Sequence, residues 1–198
     1  MAPKVYRGID NMTLADKVAQ EIERFQPDAV FIDAGNGGGV IDRLRQLHHD
    51  VIEVHFSGSP SNARYLNKRA EIWFEMRDWL RAGGAIPDLV DLKQDLAAPT
   101  YRFTPADKIQ LESKDDIKAR GLPSPDLGDA LALTAGNLAR LAVREGSEAH
   151  LGKRRIDARL LRGIEPERWR HAEGHVLPQV EMREDVVVLE DHAHRTLV

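Results

Sequence analysis

Three carboxylates have the residue type and spacing that chemistry would need. Asp33 closes an apolar run, Ala29-Val-Phe-Ile32. Asp126 and Asp129 follow Ser124-Pro125 and stand three residues apart, which puts both on one face of a helix's first turn. Carboxylates gathered from a strand end and a helix start can bind Mg²⁺ or Mn²⁺, hard cations that take oxygen ligands. Two such ions about 4 Å apart would activate a water and stabilise the leaving oxygen in phosphodiester cleavage. The same residues have structural uses. An Asp at a strand's carboxyl end caps the turn that follows, and acidic residues in a first helical turn complement the helix dipole. Spacing alone does not bring Asp33 to Asp126. Lys114 and Arg120 flank the acidic pair; either could contact DNA phosphates or a pentavalent transition state, or pair with Asp115 or Asp116 at the surface.

Other chemistries find less support. None of the eight His belongs to an H-E-x-x-H, and no G-x-S-x-G elbow occurs. The cluster Gly35-Asn-Gly-Gly-Gly39 lacks both the Gly-Lys-Ser/Thr ending of a phosphate loop and the G-x-G-x-x-G spacing. It reads as a tight strand-to-helix turn. Asp42, just after it, reads as structural. The absence of cysteine excludes disulfides and thiolate metal sites.

The elements that must position these residues follow from apolar spacing. Residues 4–9 read as the end of a strand. Thr13 caps a helix through about Phe25, with Leu14, Val18, Ile22 and Phe25 on one face. The run ending at Asp33 reads as a buried parallel strand. A helix then carries Val40, Ile41, Leu44 and Leu47 inward, and Val51–Val54 is the next strand. Strand, helix, strand is the core of an α/β fold. A polar loop covers 57–67. A long helix spans about 68–82, with Ile72, Trp73, Met76, Trp79 and Leu80 as its apolar stripe, read as core rather than a base-stacking platform. Residues 101–103 and 108–111 read as a β-hairpin around a Pro-Ala-Asp turn. Ser124 as N-cap and Pro125 as first residue start a helix running to about Val143. Beyond 145 the chain becomes a charged tail. Residues 151–171 hold seven basic residues against three acidic, residues 172–198 six acidic against two Arg, and Val186–Leu189 could form a strand.

The chain has 198 residues and a formal net charge of -4. That fits one α/β domain plus an appendage, and argues against a generic nucleic-acid coat, which is strongly basic. It does not argue against an enzyme that touches DNA at one patch. No apolar run is long enough to span a membrane, and MAPKVYRGID has no signal-peptide core. The expectation is an intracellular protein.

Five segments taken in order resemble the large terminase subunits of tailed phages and prophages. They are Phe31-Ile-Asp33-Ala-Gly; Gly37-Gly-Gly-Val-Ile-Asp42-Arg-Leu; Asn67-Lys-Arg69-Ala-Glu-Ile-Trp73; Leu111-Glu-Ser-Lys114-Asp; and Ser124-Pro-Asp126-Leu-Gly-Asp129-Ala-Leu-Ala-Leu-Thr134. The last is the most specific, and its Asp-x-x-Asp-Ala is also similar to the final acidic motif of Holliday-junction resolvases. The resemblance covers about residues 5–140 and implies an RNase H-like mixed sheet flanked by helices. It implies metal-dependent endonucleolytic cleavage of double-stranded DNA during genome packaging, in the cytoplasm of a bacterial host. Asp33 would match the family's second acidic position, and Asp126 and Asp129 its last, all three as Mg²⁺ or Mn²⁺ ligands. Lys114 and Arg120 would be phosphate contacts. The family's first catalytic Asp lies on a strand upstream of the point matching Val5, and Asp10 does not replace it. The expectation is therefore a nuclease domain lacking its first two strands over 1–145, with a tail over 146–198. The exposed strand edge would be covered by self-association or by Val186–Leu189. Further expected partners are the portal protein and the terminase ATPase portion. The alternatives are a catalytically incomplete remnant or assembly module binding DNA or the portal, and a junction resolvase-like nuclease.

Overall fold

The computed structural model describes residues 3–137 and the backbone of Gly174–His175. Helix α1 (Asn11–Phe25) begins at Asp10 rather than Thr13: the Asp10 carboxylate accepts the N–H groups of Met12 and Thr13, both at 2.9 Å. Asp is at least as good an N-cap as Thr, and here it also accepts the Thr13 hydroxyl. The segment before it forms no strand, and Val5 and Tyr6 are exposed.

Strands β1 (Phe31–Asp33) and β2 (Ile52–Val54) pair in parallel, Phe31 with Ile52 and Asp33 with Val54. Between them runs helix α2 (Ala34–Gln46), which starts directly after Asp33. The glycine cluster is thus not a turn but the first half of α2. Glycine is a weak helix former, costing about 1 kcal/mol per residue, so its presence needs a packing reason. A Cβ at Gly37 would lie 2.8 Å from Ile32 Cγ2, and one at Gly39 2.7 Å from Asn11 Nδ2. Close approach to β1 and α1 overrides local propensity. Ala15 and Ala19 of α1 meet Val40, Ile41 and Leu44 of α2 in a small core.

The larger core is built on helix α3 (Lys68–Arg81), capped by Asn67, whose side chain accepts from the Ala70 N–H. Ile72, Trp73, Phe74 and Met76 are sequestered from water, each stabilising the fold by roughly 1.5–3 kcal/mol by apolar burial. Helix α4 (Val90–Ala97) was not foreseen; Leu92 and Leu96 are its inward residues. Strands β3 (Thr100–Phe103) and β4 (Ile109–Leu111) form the expected hairpin. A two-residue strand β5 (Gly174–His175) pairs with the other edge of β3. Helices α5 (Lys114–Ala119) and α6 (Asp126–Ala135) complete the described part. Its architecture is mixed α/β, with six helices, one parallel strand pair and one three-stranded antiparallel sheet. The strand expected at Val186–Leu189, and the tail as a whole apart from β5, lie outside the described residues.

α6 differs from expectation at both ends. Pro125 occupies the cap position and offers no side-chain acceptor. Ser124 does not cap; its hydroxyl donates to Asp126 Oδ1 at 2.7 Å. The helix closes at Ala135 with Gly136 following.

Candidate functional site

The first N–H of α6, that of Asp126, donates to the Ser124 carbonyl at 2.9 Å, but Pro125 offers no side-chain acceptor for the next ones. Asp95 of α4 supplies it from 32 residues away: its Oδ2 accepts from Leu127 N at 2.7 Å and Gly128 N at 3.2 Å. Gly128 is required at this crossing, because a Cβ there would lie 2.8 Å from the Trp73 ring. α6 is thereby held against both α3 and α4, and its first turn presents Asp126 outward and Asp129 inward.

Asp129 is only 4% exposed. Its Oδ1 accepts two hydrogen bonds from α3, from Arg69 Nε at 2.9 Å and Trp73 Nε1 at 2.7 Å. Arg69 also donates through Nη1 to the Glu112 carbonyl at 2.8 Å. Oδ2 of Asp129 has Lys114 Nζ at 2.8 Å as its ion-pair partner. The same ammonium lies 3.1 Å from Asp126 Oδ1. Lys114, at the start of α5, therefore bridges the two carboxylates of α6.

The charges shape one another. Burial disfavours a charged Lys114, but attraction from Asp129 and Asp126 outweighs it, and its pKa is raised. Burial would raise the Asp126 pKa, but the Ser124 hydroxyl and Lys114 outweigh it and lower it. Asp95 is pushed up, chiefly by burial, against the opposing pull of the Gly128 and Leu127 N–H groups.

Two expected site residues have other settings. Asp33 ends β1 and caps α2, accepting from Gly35 N at 3.0 Å. α6 packs near β1, yet among the described residues no three His, Cys, Asp or Glu side chains gather closely enough to hold a metal ion. Asp126 and Asp129 are brought together; Asp33 does not join them in one ligand set. Arg120 pairs neither with Asp115 nor Asp116. It forms a two-pronged bridge to Glu112, both bonds 2.7 Å, and donates to the Ala98 carbonyl at 2.7 Å. Asp42 is exposed on α2.

No protein-family model, curated protein or solved structure matches this chain. The site must be judged on its own residues. Asp95, Arg69 and Trp73 carry its geometry, and none stood out as a site residue in the sequence. Arg69 and Trp73 had one available signal: at i and i+4 they share a face of α3.

Among the described residues no third carboxylate or imidazole joins the Asp126–Asp129 pair. Both are hard oxygen donors. A cationic group already contacts both side chains, on a flexible, half-exposed lysine stem that can move aside.

Proposed function

We propose that this chain is the nuclease portion of a large terminase subunit, cleaving double-stranded DNA with Mg²⁺ or Mn²⁺. One observation carries the reading. Three of the resembling segments, those holding Arg69 and Trp73, Lys114, and Asp126 with Asp129, converge on one buried carboxylate, whose Oδ1 takes both α3 donors and whose Oδ2 lies 2.8 Å from the Lys114 ammonium. The RNase H-like arrangement of the sheet belongs to the same proposal, supported by the parallel β1–β2 pair that ends at Asp33.

In this reading Asp126 and Asp129 hold the metal, with Asp33 drawn in from the end of β1. The metal, when bound, activates a water and neutralises charge on the scissile phosphate. Lys114 is released from the carboxylates and contacts the phosphate instead, as a compact point charge on a long stem. Arg120 stays with Glu112 and holds α5 to β4 rather than contacting DNA. Beyond DNA, the partners in this reading are the portal protein, the terminase ATPase portion and further copies of the chain. Among the described residues no helix is long and apolar enough to cross a membrane.

A second reading, a DNA- or portal-binding assembly module without cleavage, is favoured by the separation of Asp33 from the α6 pair. Supplying purified protein with Mn²⁺, linear duplex and four-way junctions in parallel separates the readings. The nuclease reading expects metal-dependent cutting of linear duplex with no preference for junctions. Preference for junctions indicates a resolvase, and binding without cutting indicates the assembly module.

A further inference from the structure

We draw no further inference here: the strongest candidate, the surface patch of exposed apolar side chains Val5, Tyr6, Ile9 and Met12 where the chain leads into α1, carries none because nothing in the structure shows what covers it.

Discussion

Asp95→Ala is the change whose consequence can be worked most fully from the structure. Asp95 sits 7% exposed and is the acceptor for two N–H groups in the first turn of α6. Pro125 cannot replace it, having no side-chain acceptor. Gly128 is buried beneath Trp73, so its N–H cannot turn to water; a buried donor without a partner costs about 1–3 kcal/mol. Leu127 is half-buried and loses about 1 kcal/mol, as for an ordinary N-cap removal. Against this, the carboxylate is itself unfavourably buried, as its raised pKa indicates, and removing it returns part of the loss. The net is about 2–3 kcal/mol, or roughly 5–12 °C in melting temperature for a domain of this size. Asp95→Asn keeps a carbonyl oxygen in place and sheds the buried charge, so it should cost about 1 kcal/mol or less. Thermal unfolding followed by circular dichroism measures both. Equal losses for Ala and Asn, or no loss for Ala, would refute the idea that Asp95 caps α6 from a distance.

Three further outcomes follow from the same contacts. Glu71→Gln breaks a fully buried pair with Lys68 and should cost about 3–5 kcal/mol by chemical denaturation, because it strands the ammonium; adding Lys68→Met should recover much of that. Arg120→Ala should lower the melting temperature by unpairing Glu112 while leaving DNA affinity unchanged, as gel-shift titration would show; a fall in affinity at constant stability would restore Arg120 as a phosphate contact. On acidification, Glu71 and Glu112 are held below the ordinary Glu range because their cation and N–H partners outweigh burial. Their contribution is complete above the unfolded-state pKa and is lost as pH falls through the lower folded value. Asp95, raised by burial, has the opposite sign: its contribution is present below the unfolded value and lost as pH rises. Denaturant midpoints measured from neutral pH downward should therefore converge for Glu71→Gln and the parent, and fall more steeply for Asp95→Asn.

Much of the fold was legible because the signals were local. The apolar run into Asp33, the stripe of α3 and the β3–β4 hairpin each show in a few neighbouring residues. The glycine cluster misled because glycine's local meaning is a turn, whereas here it permits α2 to approach Ile32 and Asn11. α4 was missed because eight residues with two inward leucines carry too little periodicity. The spacing of Asp126 and Asp129 did reveal a pair on one helix. What positions that pair did not show: Asp95 lies 32 residues from Leu127, and Trp73 lies 56 from Asp129. An indole in an apolar stripe reads as core, and its N–H partner is a property of the folded chain alone. Charge likewise marked Arg120 as available without saying that Glu112 takes it.

The central claim is that the α6 carboxylates serve metal-dependent DNA cleavage. Its most direct test is nicking of supercoiled plasmid in Mn²⁺ by the parent chain and by Asp129→Asn, which keeps Oδ1's role as an acceptor but removes the charge, with EDTA as control. Nicking by the parent that EDTA abolishes and Asp129→Asn lacks is the predicted result. A well-folded parent that leaves the plasmid intact, or an Asp129→Asn variant that nicks as fast as the parent, contradicts it.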